Sequence, residues 1–244
     1  IKNKELYDYY FDYYIKEIPI KIFTLGDFHN LENTVLFDKL KNLERKIDTN
    51  TKFKSEMLKK INKEIIYENE FKDISQSILT LGFYTNIESS KEEVFPLILY
   101  NTILGGGINS KLFVSVREKM GLTYNIFSFL DIYKGILVIN CGIEYFNKDR
   151  VIDEIILQMK NIENGIISKN EIEIAKNLLK TDCLYQKDSQ TDIMSFFFNQ
   201  FFSGTDYTIK NYIEKINAVQ VEDLIKIANK IVLNTIHYLG IAKK

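Results

Sequence analysis

The chain has 244 residues, of which 45% are hydrophobic, 27% charged and 13% aromatic, enough apolar material for one large core or two smaller ones. Its 32 basic and 33 acidic residues leave a formal charge of -1, which argues against a nucleic-acid partner because many phosphates require a basic surface. Two cysteines, Cys141 and Cys183, are too few for a disulfide scaffold and indicate buried thiols in a reducing compartment.

The beginning of the chain predicts a helix followed by a strand. A turn at Pro19 precedes the apolar run Ile20–Leu25, which Gly26 and Asp27 close as they would close a buried strand. The apolar stripe of the opening helix consists of Leu6, Tyr7, Tyr10, Phe11 and Tyr14.

A second helix and a linker are expected next. The helix runs from about Glu32 to Arg45, and the polar stretch Lys46–Lys63 lacks a regular apolar period. We therefore predict a helix-strand-helix lead-in over residues 1–45 that packs with the main domain. Residues 46–63 are predicted to be a linker or loop, and residues 64–244 the main α+β domain.

The main domain opens with two strands and a buried helix. Glu64–Phe71 and Ser77–Ile87 alternate as strands do, and Val94–Leu104 is apolar on nearly every face before it meets Gly105–Gly107.

A short helix and a hairpin follow. Asn109 or Ser110 can cap the helix, which runs to Met120, with Gly121 at the usual left-handed position after its end. Two alternating runs joined at Lys134 then predict the hairpin. These runs are Thr123–Tyr133 and Gly135–Tyr145.

The last hundred residues are predicted to be mainly helical. The apolar period becomes helical from Lys148, and Ser168 with Glu171 forms a capping box that opens the next helix. An aromatic cluster at helical spacing favours core or a domain interface over a ligand-binding box. Its members are Phe196, Phe197, Phe198, Phe201 and Phe202.

Two helices and a final strand complete the chain, over Ile209–Ile216, Val221–Val232 and Thr235–Ile241. Grouped strands, grouped helices and a hairpin predict an α+β fold, a layered, largely antiparallel sheet with helices packed on one face, rather than a doubly wound one.

The histidines predict no metal site in this chain. His29 and His237 have no convergent ligands at metal-binding spacing, and an ordinary loop histidine and strand histidine are the simpler interpretation. His29 has Glu32 three positions later but Asn33 where H-x-x-E-H requires a second histidine. We therefore expect no stoichiometric zinc on this chain.

One stretch resembles a known family. Around the three glycines the sequence reads Leu104-Gly105-Gly106-Gly107, Ser110-Lys111-Leu112-Phe113, Val116-Arg117-Glu118-Lys119 and Gly121-Leu122-Thr123-Tyr124. These motifs are similar to the second half of the insulinase-like, or pitrilysin, zinc metallopeptidases, which include the mitochondrial processing peptidase. The lead-in through Ile20–Asp27 also fits, and the resemblance weakens beyond Gly204.

The resemblance implies an enzyme of two related α+β halves that close around a cavity. One half carries zinc on H-x-x-E-H, and this chain resembles the other half, so it is expected to hold neither the metal nor a catalytic residue. The zinc-bearing half would be an N-terminal part of the same polypeptide or a separate subunit. The partners expected are that half and an extended peptide substrate, with no nucleic acid and no membrane.

The resemblance also implies roles for individual residues. In the family an arginine and a tyrosine reach toward the substrate near the metal, and they match Arg117 and Tyr124. A guanidinium can hold a carbonyl or carboxylate, and a phenol can donate to a developing oxyanion. Either residue alone would be an ordinary helix-end arginine or strand tyrosine. Gly105–Gly107 are interpreted as a helix terminus in left-handed conformations, with some contact to the substrate.

We therefore expect the C-terminal, non-metal-binding half of an insulinase-like zinc metallopeptidase, which supplies substrate-binding and cavity-wall residues and is inactive alone. The alternative is a catalytically inactive scaffold or assembly subunit of the same fold. No apolar run approaches the ~20 residues that cross a bilayer, and the N-terminus lacks a signal-peptide pattern, so a cytoplasmic location is expected.

Overall fold

The computed structural model describes residues 2–18, 20–26, 38, 39, 42 and 64–241. The predicted turn at Pro19, almost all of the helix Glu32–Arg45, the linker Lys46–Lys63 and His29 lie outside the described residues. The division into lead-in, linker and main domain therefore stays a prediction.

The lead-in begins with helix α1, Asn3–Tyr9, which continues as a π-helical segment, Tyr10–Ile15. Neither contains a buried residue. The predicted strand Ile20–Leu25 is wrong, because these residues have no strand conformation and most of them are exposed. An extended segment becomes a strand only when a neighbour takes up its backbone hydrogen bonds, and no described strand pairs with this one.

The main domain is built on a five-stranded sheet. Its strands are β1 (Ile66–Lys72), β2 (Ser77–Tyr84), β3 (Thr123–Asp131), β4 (Ile136–Ile143) and β5 (Val232–Ile241). The spatial order is β1-β5-β2-β4-β3. Only β1 and β5 run parallel, and the other neighbours are antiparallel, so the predicted largely antiparallel sheet is confirmed.

Helices cover one face of this sheet. They are α2 (Val94–Gly105), α3 (Lys148–Glu163), α4 (Lys169–Tyr185), α5 (Gln190–Ser203), α6 (Ile209–Ala218) and α7 (Val221–Ala228). The alternate residues of β2 that face these helices, Leu79, Leu81 and Phe83, are at most 2% exposed. Helix α2 is buried on most sides, as its composition predicts. No helix in the described part of the chain is long and apolar enough to span a membrane.

The capping box that opens α4 is confirmed. Ser168 Oγ accepts a hydrogen bond from the backbone N–H of Glu171, and the Glu171 carboxylate accepts from the N–H of Ser168. The end of the last predicted helix differs, since α7 stops at Ala228 and Val232 already belongs to β5. Pairing of Val232 with Tyr84 on β2 explains this, because sheet hydrogen bonds replace those of another helical turn.

Candidate functional site

The three glycines lie where α2 meets β3. A Cβ atom on Gly105 would lie 2.5 Å from Ser128 Oγ and 2.7 Å from the backbone nitrogen of Ser128. A Cβ added to Gly106 would lie 2.6 Å from the Cα of Thr102. A Cβ added to Gly107 would have its nearest neighbour, Leu178 Cδ2, at 3.7 Å. Helix α2 ends at Gly105, so the predicted helix terminus is confirmed, but none of the three glycines has a positive φ, so the predicted left-handed conformation is wrong. Gly105 is required instead for the close approach of helix and strand.

The segment after the glycines is anchored at its start. Ser110 Oγ accepts from the N–H of Phe113 at 3.4 Å, as expected of a cap. The next side chain, Lys111, is 9% exposed and forms a 2.8 Å ion pair with Glu171 of α4. Burial acts to raise the pKa of Glu171, but hydrogen bonds from Lys111 and Ser168 outweigh it and hold the pKa below its ordinary value.

Arg117 lies on a π-helical segment, Phe113–Lys119, where the sequence predicts an ordinary helix. π-Helical turns are rare in proteins, and those that occur are often found at functional sites. The segment ends as predicted, with Gly121 in the left-handed region at φ +60°. The Arg117 guanidinium lies over the ring of Phe113 at 4.4 Å and over the ring of Tyr124 at 5.6 Å. The two predicted substrate residues, Arg117 and Tyr124, are therefore brought together.

Tyr124 lies in a β-bulge of the edge strand β3. Thr123 pairs with Ile143 and Ile126 with Cys141, so Tyr124 and Asn125 together oppose the single residue Gly142. Bulges of this kind redirect a side chain and are over-represented beside active sites. The Tyr124 side chain is 78% exposed.

Polar contacts hold the bulge. Asn125 Oδ1 accepts from the N–H of Gly142 at 3.1 Å, and Thr123 Oγ1 lies 2.6 Å from the carbonyl oxygens of both Asn125 and Gly142. A Cβ on Gly142 would lie 2.5 Å from Gln76 Nε2 and 3.0 Å from Asn125 Oδ1. The sequence analysis missed these residues, since nothing in their spacing distinguishes them from an ordinary hairpin.

The charges near Arg117 and Tyr124 leave the Arg117 guanidinium available for further hydrogen bonds. Its guanidinium is about one-third exposed, and its ion pair with Glu118 is 3.7 Å long, a distance at which an exposed pair contributes little. Together the pair offers a planar cation and an exposed phenol, which can both donate hydrogen bonds to a peptide carbonyl.

Gly105 packs on the helix-facing residue Ser128 and belongs to the interface between the layers.

His237, the histidine within the described residues, and both cysteines lie in regular secondary structure. His237 lies in β5, as predicted, with Nε2 3.8 Å from Glu70 Oε2. Cys141 and Cys183 are buried free thiols, and burial raises the pKa of Cys141 to about 12. Within the described ranges no group of three or more His, Cys, Asp or Glu side chains could hold a metal ion.

Residues 1–179 match the model of the peptidase M16 inactive domain. The chain belongs to the M16 peptidase family. This confirms the predicted resemblance and the assignment to the inactive, C-terminal half of an M16 protein, and an inactive scaffold of the same fold agrees with the match equally well.

Relatives of this M16 domain include proteins named as an inactive metalloprotease and as a zinc protease. In Bacillus subtilis, "Probable inactive metalloprotease YmfF" is 31% identical over 177 residues, which are 72% of this chain and 41% of the relative. "Uncharacterized zinc protease YmxG" from the same organism is 30% identical over 154 residues, 62% of this chain and 37% of the relative. The chain thus spans about two fifths of the curated relatives it matches.

Solved structures give the same picture of the fold. A conserved protein from Enterococcus faecalis has a TM-score of 0.80 at 29% identity, covering 90% of this chain and 51% of that one. An M16 inactive domain from Pseudomonas fluorescens has a TM-score of 0.63 at 21% identity, covering 74% of this chain and 44% of that one. At the latter identity the likeness establishes the fold alone.

Proposed function

We propose that this domain is the substrate-binding half of a cytoplasmic zinc peptidase, in which Arg117 and Tyr124 hold an extended peptide against the zinc-bearing half. The observation that carries the proposal is the cation–π contact of 5.6 Å between the Arg117 guanidinium and the Tyr124 ring, on a tyrosine that is 78% exposed. A large exposed phenol beside a cation is a ready donor pair for a carbonyl group. The two unpaired cysteines support a reducing compartment.

The chemistry proposed for the pair is electrostatic. As a peptide bond is attacked, negative charge develops on its carbonyl oxygen, and the Tyr124 hydroxyl can donate a hydrogen bond to it. Arg117 can hold a neighbouring carbonyl or carboxylate, and its stacking on Phe113 restricts where it points. Zinc, named in relatives such as YmxG, would activate water in the complete enzyme. The described residues offer no ligand set for zinc, so the metal is proposed to lie on the other half.

Steady-state kinetics of the complete enzyme test this role. We expect Tyr124→Phe to lower kcat on the order of a hundredfold, as loss of one oxyanion donor does, while the melting temperature stays unchanged because the hydroxyl is in solvent. We expect Arg117→Ala to raise KM and lower kcat, with Arg117→Lys restoring only part of the activity.

Tyr67→Phe is the matched control, because Tyr67 is 65% exposed on the edge strand β1. It should leave kcat and KM unchanged. Wild-type kcat in both Tyr124→Phe and Arg117→Ala would remove the catalytic-support role.

The glycines are proposed to contribute unequally to substrate contact. Gly107 is exposed, and a Cβ added to it would make only an ordinary van der Waals contact, with Leu178 Cδ2 at 3.7 Å, so a peptide backbone could approach it. Gly105 and Gly106 are crowded by Ser128 and Thr102, which supports a packing role for them.

A second candidate function is that of an inactive scaffold. It is favoured by the similarity to YmfF, whose name describes an inactive metalloprotease. The complete protein decides between the two, through its zinc content after dialysis and its cleavage of unfolded peptides. One bound zinc together with peptide cleavage supports the peptidase. Absence of both the zinc and the cleavage supports the scaffold.

A further inference from the structure

A pocket of about 800 Å³ opens beside Tyr124 at one end of the sheet. It lies between the turn at Gly121, the start of β2 and the residues that follow β4. This volume is in the range of ligand-binding sites. Because Tyr124 forms part of the wall, a peptide held by Tyr124 passes the mouth of the pocket.

Aromatic rings form one side of the pocket. The Tyr238 ring is buried, and its centroid lies 5.4 Å from that of Tyr145 and 6.2 Å from that of Phe71. Tyr145 and Phe71 are 65% and 58% exposed. Their exposed rings offer edge-to-face or offset stacking to an additional aromatic ring.

A buried polar group also lines the pocket. Asn147 is 7% exposed, and its Oδ1 has no hydrogen-bond partner within the described part of the chain. It lies at the position before α3 where asparagine normally accepts a backbone N–H of the helix, yet it forms no such cap. A buried acceptor without a donor is costly, so a ligand that donates a hydrogen bond would satisfy it.

The charges around the pocket disfavour a charged ligand. Glu144 is the charged side chain of its wall, and no ion pair to it is found among the described residues, so an acidic group would be repelled. Lys148 lies close by, with its ammonium 5.4 Å from the Tyr238 centroid, and it disfavours a second cation there. Because Glu144 and Lys148 carry opposite charges, the surroundings of the pocket favour neither an anionic nor a cationic ligand. Together with the aromatic wall and the buried acceptor, this indicates a ligand that is neutral, aromatic and hydrogen-bond donating.

We propose that this pocket is a subsite for a tyrosine or tryptophan side chain of an extended peptide. The ring packs against Tyr145 and Phe71. The Asn147 amide, whose Oδ1 is fully buried, rotates on binding so that Oδ1 accepts a hydrogen bond from the hydroxyl or indole N–H. The inference rests on the proposed function, since the peptide is the one that Tyr124 holds. It adds a side-chain preference that the Arg117–Tyr124 pair does not supply.

Calorimetric binding to the complete protein, treated with a chelator so that nothing is cleaved, tests the subsite. The probes are blocked alanine pentapeptides with Tyr, Trp, Phe, Ala or Asp at the centre. We expect the Tyr and Trp peptides to bind about three- to tenfold more tightly than the Phe peptide, from one hydrogen bond. The Ala and Asp peptides should bind more weakly still. Equal affinities, or no binding of the Tyr peptide, would overturn the proposal.

Matched variants locate the effect. Tyr145→Ala should weaken Tyr-peptide binding about two- to tenfold, whereas Phe146→Ala should not, because Phe146 is 76% exposed and lies outside the pocket wall. Asn147→Ala should abolish the preference for Tyr over Phe, and Asn147→Asp, which keeps an acceptor and suits a helix N-terminus, should retain it. Equal losses in the Tyr145 and Phe146 variants would contradict the subsite.

This experiment separates the two proposals. A complete protein that cleaves no peptide but prefers the Tyr peptide refutes the proposed peptidase and supports the pocket. An active enzyme that binds all the peptides alike refutes the pocket alone.

Discussion

The packing of Gly105 against β3 predicts that Gly105→Ala destabilises the domain, and Gly107→Ala serves as the control. In Gly105→Ala the new methyl group would lie 2.5 Å from Ser128 Oγ, 2.7 Å from the Ser128 nitrogen and 2.8 Å from its Cβ. The hydroxyl can rotate away, but the backbone nitrogen cannot, so the end of α2 and the edge strand must separate. In Gly107→Ala the nearest atom is 3.7 Å away, an ordinary van der Waals contact.

The expected cost follows from these distances. Overpacking a tight site costs about 1–3 kcal/mol, which lowers the melting temperature of a domain of this size by roughly 2–12 °C. Gly107→Ala should change the free energy of unfolding by less than about 0.5 kcal/mol. Adding Ser128→Gly to Gly105→Ala removes two of the three close atoms and should recover part of the loss.

Thermal and denaturant unfolding of the complete protein, followed in parallel with peptide cleavage, measures both effects. If the three glycines served only to contact substrate, all of the single variants would change KM and none would change the melting temperature. A Gly105→Ala protein as stable as wild type would refute the packing argument. An unchanged KM in Gly107→Ala would remove the proposed peptide contact.

Two ionisable groups, the buried thiol of Cys141 and the partly exposed carboxyl of Glu171, predict how stability depends on pH. Burial raises the pKa of Cys141 from 9.0 to about 12, so the unfolded chain releases this proton first, and the free energy of unfolding should fall as pH rises above about 9. Cys141→Ala should flatten that slope between about pH 9 and pH 12, and an unchanged slope would argue against the buried thiol as its cause. The pKa of Glu171 is lowered from 4.5, since bonds from Lys111 and Ser168 outweigh burial. The stabilisation by the Glu171 carboxylate should therefore be present above about pH 4.5 and be lost as pH falls below it. In Glu171→Gln the free energy of unfolding should depend less on pH in this acid range. Parallel plots of this free energy against pH for wild type and variant would contradict the argument.

The sequence predicts the main domain well because its signals are local. Ser168 and Glu171 form their capping box within one turn, and the alternation of β2 shows directly in its burial. The segment Ile20–Leu25 has the same kind of signal, yet it forms no strand. A period of apolar residues describes one segment, whereas a strand also needs a neighbour, and the position of that neighbour is not contained in the period.

The candidate site is only partly predictable. The motif predicts Arg117 and Tyr124 as candidate residues, but it predicts neither the π-helical conformation of the segment that carries Arg117 nor the bulge that exposes Tyr124. At the glycines, the sequence instead suggests a property that the structure does not use. Their conformational freedom is the property that a sequence suggests first, whereas the structure uses the absence of a side chain at Gly105.

The exposure of Tyr124 is the clearest case of a structural feature of the candidate site that alternation alone would miss. Along β3, Ile126 and Ser128 face the helices and are 4% and 6% exposed, and a regular strand would turn Tyr124 to that same side because side chains alternate with a period of two. The bulge adds one residue, Asn125, and so reverses the alternation before it, burying Thr123 and exposing Tyr124. A side chain that regular alternation would place in the core is thus turned to solvent by one inserted residue, which the Asn125–Gly142 hydrogen bond holds in place.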